Sequence, residues 1–494
     1  MRCEGRRLGK EVVSMPKTWV FYRRIVQILM IGIFLLPLVG FLGIKGTLLA
    51  SNIFGIPLMD PLAIAEVILA AKTLGGLALL GIIGVLLILG AYLLLGKAFC
   101  SWVCPVGFLV ELANKVPLIK RKSLKKKLEQ QQQWYWMLPV VLVVSFLIGV
   151  PVFQSFSPIG IFYRAILFGL GLEVLILIII LALELAGIQR AWCRNVCPLG
   201  AFYALWARLS PLGINIDGLE CTKCQRCVRV CDYTASALQK AITGGLTRVE
   251  SPLCTRCGSC IDICPEGALS FKFQLPALMG KKKDPFVPEV NRAQQEVMAA
   301  KEAKWEPSRR EFLQLGGAVA VGGMMTLSMA PAKKIGPNLL RPPGAGTDAE
   351  FLSQCIRCGQ CIEVCPEKAL MAGGIEHGLS LGTPYFIPKD APCTLCMDCP
   401  EVCPTGALKP LPMEEVRIGV AVIDEELCYA YHGDACRSCW NNCPLYDEAL
   451  YMKEFQYPVV VEDKCTGCGL CEYACVAVAV VPAIKIIPRK EKLI

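Results

Sequence analysis

The sequence predicts a membrane α-helical bundle of four spans, a fifth helix further along, and three small α+β modules built on one repeated cysteine pattern. Three observations predict it. Four apolar stretches before residue 190 have the length of about 20 residues that a bilayer crossing needs. Of 29 cysteines, 24 fall into six runs of four. The six runs come in three pairs, so one unit recurs three times.

Composition narrows the class. Hydrophobic residues make up 54% of 494 residues, above the roughly 45–50% of soluble chains, which places part of the chain in lipid. A disulfide scaffold is disfavoured, because such chains are short and cysteines two or three apart seldom pair. With two histidines, His377 and His432, and no C-x-x-C-H, a multihaem c-type cytochrome is excluded and bis-histidine haem disfavoured. The net charge of +10 is not read as nucleic-acid binding. The basic residues cluster beside the apolar spans, as the positive-inside rule requires.

The first element is the basic N-terminus, with Arg2, Arg6, Arg7, Lys10, Lys17, Arg23 and Arg24, followed by the span Ile25–Ile44. No small-residue cleavage site follows closely, so it reads as an uncleaved anchor. Pro61–Lys72, with Glu66 and Lys72, reads as a short interfacial helix whose two charges pair or flank the outer side. Thr73–Leu95 is the second span. Lys115–Lys127 then carries seven Lys or Arg, and Trp134, Tyr135 and Trp136 form an aromatic belt before the third span, Met137–Phe156. The fourth span is Ala165–Gly187. Basic segments at the N-terminus, at Lys115–Lys127 and after Gly187 place all three on the cytoplasmic side.

The chain then divides into a membrane domain (1–215), an internal module (216–275), a linker (276–307), a helix (308–332), a second linker (333–349) and two external modules (350–410 and 411–494). Ser308-Arg309-Arg310-Glu311-Phe312-Leu313 resembles a twin-arginine export signal, and the Gly- and Ala-rich segment Leu315–Ala330 follows it. An ordinary fifth span with a basic flank is the plainer alternative, and it is disfavoured. Glycines 316, 317, 322 and 323 have no strand before them, so a dinucleotide loop is weak. Export in the folded state suits a domain whose metal is loaded in the cytoplasm, and Ala330-Pro331-Ala332 is a possible cleavage point.

The six runs carry the chemistry. Module one has Cys221, Cys224, Cys227 and Cys231, then Cys254, Cys257, Cys260 and Cys264. Module two has Cys355, Cys358, Cys361 and Cys365, then Cys393, Cys396, Cys399 and Cys403. Module three has Cys428, Cys436, Cys439 and Cys443, then Cys465, Cys468, Cys471 and Cys475. C-x2-C-x2-C-x3-C is the bacterial ferredoxin spacing. Three thiolates wrap one [4Fe-4S] cubane, and the fourth cysteine, expected to begin a helix, ligates the neighbouring cubane. The expected sets are therefore Cys221, Cys224, Cys227 with Cys264, and Cys254, Cys257, Cys260 with Cys231. The same exchange gives Cys355, Cys358, Cys361 with Cys403, and Cys393, Cys396, Cys399 with Cys365. In module three it gives Cys428, Cys436, Cys439 with Cys475, and Cys465, Cys468, Cys471 with Cys443. Zinc ribbons use pairs of C-x2-C separated by long gaps, not three cysteines in seven residues. Pro265, Pro366, Pro404 and Pro444 follow the fourth cysteine, whereas Asp232 and Val476 stand elsewhere. The seven residues between Cys428 and Cys436 either retune that cluster, form a docking surface, or are a neutral insertion.

Five cysteines remain. Cys3 reads as a bystander. Cys100, Cys104, Cys193 and Cys197 form two C-x3-C-P motifs in nearly the same context. They are candidates for a seventh metal centre or a dithiol relay, against the plain alternative of reduced cysteines packing helix ends. Ionisable groups in apolar spans are functional candidates by default. Glu173 is the candidate to take a proton from quinol, with a salt bridge to Arg164 or Lys72 as the plainer alternative. Glu184 is placed to snorkel.

Residues from about 20 to 271, with four spans, two C-x3-C-P motifs and two ferredoxin runs, resemble the NapH family. Residues from about 308 to 480, with a twin-arginine signal and four runs including the Cys428-x7-Cys436 variant, resemble the NapG/MauM family. The chain thus looks like a fusion of two partners. The resemblance implies a quinol dehydrogenase component in the cytoplasmic membrane, with domains on both faces of the lipid bilayer. It would draw on the quinone pool and feed a periplasmic reductase, such as nitrate reductase, or its cytochrome donor. A second possibility is a maturation or metal-reduction factor. CcoG-type copper reductases share the C-x3-C-P spans but end in an immunoglobulin-like domain, and no β-rich cysteine-free tail exists here. A third is a scaffold or sensor without turnover.

Overall fold

The computed structural model describes residues 18–36, 43–73, 79–114, 137–186, 190, 192–249, 251–274 and 339–489. The basic loop Lys115–Lys127, the aromatic belt, Cys3, the linker 276–307 and the twin-arginine helix 308–332 lie outside the described residues. The chain forms two compact units. One comprises 1–33, 87–140 and 177–326, and the other 34–86, 141–176 and 327–494.

The apolar helices are α1 (Thr18–Ile33), α2 (Pro61–Ala71), α3 (Leu79–Leu95), α5 (Met137–Ile148), α6 (Pro158–Leu167) and α7 (Val174–Leu185). Two further helices, α4 (Pro105–Ala113) and α8 (Pro198–Ala207), follow the C-x3-C-P motifs. Among the described residues one helical stretch, Leu79–Trp102, is both long and apolar enough to cross a membrane. Two expected spans are interrupted. The third breaks at Gly149-Val150-Pro151, where Gly149 takes φ +75° and proline ends the helix. The fourth breaks between Leu167 and Val174, at Gly169-Leu170-Gly171, with Gly169 at φ +101°. The first span's helix ends at Ile33, and Ile44 lies in a strand.

In the second unit, β1 (Ile44–Thr47), β2 (Ala50–Ile53) and β3 (Ile56–Met59) form an antiparallel sheet between the first apolar stretch and α2. Phe54 and Gly55 both have positive φ, 50° and 87°, the primed two-residue turn that matches strand twist. The sheet docks on the second module. The Glu363 carboxylate accepts from Gly46 N–H at 2.6 Å, and Gln360 Nε2 donates to the Ala50 carbonyl at 3.2 Å. α2 begins at Pro61 with Asp60 as cap, its carboxylate accepting from Leu62 N–H at 2.8 Å.

Glu66 on α2 is fully buried. It does not pair with Lys72, whose ammonium lies 5.0 Å over the Phe146 ring. Its carboxylate instead accepts from Ser145 Oγ (3.1 Å), Phe153 N–H (3.0 Å) and Gln154 Nε2 (2.9 Å). Burial pushes this carboxyl up to about 7; the donors from Gln154, Phe153 and Ser145 and the charge of Arg357 offset part of that rise. The native state therefore keeps a proton that the unfolded chain releases. Stability from this group is full below about pH 4.5 and is lost as pH rises through about 7. Thermal melts across that window are expected to slope downward for the native chain and less steeply for Glu66→Gln, where the buried Glu363 carboxyl, also raised to about 7, keeps part of the slope.

Modules two and three share one core in the same unit. Phe351, Leu352, Cys355, Phe386, Cys399 and Leu408 pack with Ala421, Leu450, Cys471, Ile484 and Ile486. β8 (Gly419–Ile423) pairs with β11 (Ile484–Pro488), β9 (Leu450–Lys453) with β10 (Tyr457–Val460), and β6 (Met371–Ala372) with β7 (Pro384–Tyr385). The backbone also joins the modules: Cys393 N–H donates to the Cys468 carbonyl at 2.9 Å.

The first unit holds module one, closed by β4 (Leu212–Ile216) against β5 (Leu269–Phe273). Its core is Ile214, Ile216, Leu238, Ala241, Ile242, Val249 and Leu269. α1 is tied to it end-on: Asp262 accepts from the N–H groups of Trp19 (3.2 Å) and Val20 (2.8 Å), a carboxylate at the positive end of a helix.

Candidate metal centres

Five of the six cysteine loops share one local build. The residues just before and just after the second cysteine take a left-handed conformation in five of the six runs. They are Lys223 and Gln225, Arg256 and Gly258, Arg357 and Gly359, Leu395 and Met397, and Gly467 and Gly469, with φ between 50° and 85°. Six of these ten are not glycine, and such residues cost energy unless the surroundings fix them. The alternating hand turns backbone N–H groups inward, an anion-binding concavity. N–H groups two residues on favour the thiolate at Cys254 (from Arg256), Cys355 (from Arg357), Cys393 (from Leu395) and Cys468 (from Leu470). The Cys428 run departs from the pattern: Arg437 has φ −131°, and the insertion forms the turn Tyr429–His432.

The fourth cysteine does not begin a helix. Cys231 and Cys365 end the helical turns Arg226–Val230 and Gln360–Val364. Cys475 lies within the turn Leu470–Val476. Ending a turn leaves the thiol free to leave its own loop.

The sets that come together follow the exchanged pattern. One cavity is lined by Cys221, Cys224, Cys227 and Cys264, and a second by Cys393, Cys396, Cys399 and Cys365. Burial and then Cys264, Cys221 and Cys224 push the Cys227 thiol up to about 11. Cys260 is pushed up by burial and next by Cys257, Cys254 and Cys231. Cys361 neighbours Cys358, Cys355 and Cys403. Burial, Cys428, Cys436 and Cys475 push Cys439 up to about 12. Cys471 neighbours Cys468, Cys465, Cys439 and Cys443. Buried thiols crowded this way resist deprotonation, and iron is the charge that reverses that preference. Among the described residues the cysteines are free, and no three Cys, His, Asp or Glu groups converge to hold a single ion. Four sulfurs spread around a cavity suit a multi-iron cubane, with each sulfur on its own iron.

Cys100, Cys104, Cys193 and Cys197 also meet. Cys104 is pushed up by burial and next by Cys100, Cys193 and, more weakly, Cys197. Burial and then Cys193 and Cys100 push Cys197 up to about 12. Lys97, buried beside them at 1% exposure, is a residue that sequence reading missed. A lysine at the end of a span reads as an interfacial charge.

Glu173 is buried just ahead of α7, and its Oε2 has no hydrogen-bond partner among the described residues. Arg164 is buried in the same unit and feels the charge of Glu173. Among the described residues Glu173 forms no ion pair with Lys72. Glu184 does not snorkel: it is buried and accepts from Arg190 N–H at 2.7 Å.

Family comparisons agree with this chemistry. A 4Fe-4S binding domain model matches residues 77–126 and 170–216, and another matches 462–475. Two 4Fe-4S dicluster models match 213–265 and 354–407. The chain is 40% identical to the ferredoxin-type protein NapG of Escherichia coli over 209 residues, 38% of this chain and 89% of that protein. It is 40% identical to the methylamine utilization ferredoxin-type protein MauM of Methylophilus methylotrophus, over 37% of this chain and 88% of that one. It is 32% identical to the ferredoxin-type protein MauN of Methylorubrum extorquens, over 43% of this chain and 74% of that protein. No solved structure matches. The chain belongs to the family of ferredoxin-type proteins that includes NapG, MauM and MauN, and is an iron–sulfur electron-transfer protein with several 4Fe-4S domains.

Proposed function

We propose that this chain oxidises quinol in the cytoplasmic membrane. Its two electrons leave singly through [4Fe-4S] clusters to a periplasmic redox enzyme, nitrate reductase in the case that the NapG likeness suggests, or to that enzyme's cytochrome donor. Six clusters are bound by the six exchanged cysteine sets. The chain is a NapH-like half, with four spans and an internal module, joined through a twin-arginine helix to a NapG-like half outside.

The observation that carries this reading is where the loop Cys355–Cys358 packs. Ile356 and Cys358 lie against Met59, Ala63, Ile64, Val67 and Val85, residues of the β1–β3 sheet, α2 and the long apolar helix α3. A cluster there lies beside apolar helices that a lipid-soluble donor can reach. Glu173 is the group that takes a quinol proton, its unpartnered oxygen being available to accept one.

Membrane quinols tested against the anaerobic chain provide the check. Menaquinol or ubiquinol is expected to reduce clusters seen by EPR. Glu173→Gln slows that reduction about 100-fold while dithionite still reduces every centre. If neither quinol reduces any centre that dithionite can reduce, quinol is not the donor.

A further inference from the structure

We propose that Cys100, Cys104, Cys193 and Cys197 jointly ligate a seventh [4Fe-4S] cluster, with Tyr233 bridging it to the Cys254 loop of module one. The two motifs form matching half-sites. Cys104 caps α4 and Cys197 caps α8, each followed by proline at the first helical position. Cys104 Sγ accepts from Gly107 N–H and Cys197 Sγ from Gly200 N–H, both at 3.4 Å. A Cβ on Gly107 would strike the Cys100 carbonyl, so glycine is required there, while Gly200 packs closely on its half-site, a Cβ there meeting the Cys193 carbonyl at 3.4 Å. The 4Fe-4S binding domain match takes in both halves, although about 90 residues part them in sequence.

Charge separates a cluster from the other two readings. Lys97 presents its charge to Cys100, Cys193 and Cys197, and Arg190 presents its own to Cys100 and Cys193. Glu184 is the opposing charge near Cys193. Lys97 forms no ion pair among the described residues, and neutral thiols or a disulfide would leave Glu184 as the one carboxylate among these charges to offset both Lys97 and Arg190. Four thiolates outweigh the positive iron–sulfur core, so a cluster is anionic and supplies the further counter-charge. A single zinc or copper ion fits poorly, since no three of these groups converge on one point among the described residues.

Tyr233 is an independent pointer. It is 7% exposed, and its hydroxyl has no hydrogen-bond partner among the described residues. The Arg190 guanidinium lies 5.0 Å over its ring. Cys193, Cys100 and Cys257 all lie close enough to influence it. A cluster sulfur in the Cys100 and Cys193 set gives this orphaned donor an acceptor. One electron then passes between the seventh cluster and the Cys254, Cys257, Cys260, Cys231 cluster with no bond made or broken.

Iron and acid-labile sulfide per polypeptide, measured on anaerobically purified full-length chain, test the site. Seven cubanes give about 28 irons, and six give about 24. A value near 28, falling by about four in Cys100→Ser/Cys197→Ser with module-one EPR signals retained, supports the site. A value near 24 in the native chain, or one zinc or copper per chain, overturns it while leaving the ferredoxin clusters untouched. Tyr233→Phe keeps the iron count and lowers one cluster's reduction potential, because a hydrogen bond to sulfur is lost. Unchanged potentials in that variant overturn the role given to Tyr233.

Discussion

Replacing Cys365 with serine is expected to remove the cluster of the Cys393–Cys399 loop and to leave the cluster of its own loop, Cys355–Cys361, in place. Proximity in sequence says the opposite. Yet Cys365 lines one cavity with Cys393, Cys396 and Cys399, while Cys355, Cys358 and Cys361 have Cys403 as their fourth neighbour. Iron should fall by about four per chain, and EPR of the reduced variant should lose one signal. The stability cost reaches beyond that loop. Cys399 and Cys355 belong to the core shared by modules two and three, and metal binding in such modules is folding free energy. The second unit should therefore melt at lower temperature in Cys365→Ser. The reciprocal change, Cys403→Ser, should remove the cluster of the Cys355 loop. Loss of the near loop's cluster in either variant would contradict the exchange.

Glu111→Ala should cost about 3–5 kcal/mol of stability in the first unit. Glu111 holds three cations: Arg23 at 2.5 Å, Arg24 at 3.4 Å and Arg190 at 3.7 Å. Arg23 is 4% exposed and also donates to the Cys257 carbonyl at 3.0 Å. Arg190 reaches the Gly107 carbonyl at 3.0 Å. One carboxylate thus ties α1, α4, a cluster loop of module one and the segment before Cys193. Alanine strands the buried Arg23 guanidinium without its paired carboxylate, the costly way to break a buried pair, while Arg190 keeps Asp232 nearby. Glu111→Gln keeps the shape and hydrogen-bond acceptor and should lose less. Thermal unfolding in detergent, with module-one EPR as a second readout, measures both.

The cysteine chemistry was legible because its geometry is local. C-x2-C-x2-C confines three thiols to one loop whatever surrounds it, and the fourth thiol's exchange follows from the paired runs. The left-handed positions were legible at Gly258, Gly359, Gly467 and Gly469, but not at Lys223, Leu395 or Met397. Side-chain identity there gives no hint of the backbone that a cluster imposes. The apolar spans were legible as hydrophobic runs but not in their bounds. Gly149-Val150-Pro151 and Gly169-Leu170-Gly171 were the available signals that two of them break. The β1–β3 sheet was missed because its four-residue strands show no clean alternation, and only Phe54-Gly55 marks its turn. Lys97, Tyr233 and the pairing of Glu111 were not legible. Their meaning depends on neighbours 40 to 133 residues away in sequence, which only the folded chain brings together.

Low-temperature EPR of the dithionite-reduced, anaerobically purified chain, integrated against protein concentration, is the most direct measurement of the central claim. Buried, exchanged cysteine sets holding cubane clusters predict several reduced [4Fe-4S] spins per chain, with iron and sulfide in equal amounts. Colourless protein with iron near zero, or cysteines recovered as disulfides, would contradict it.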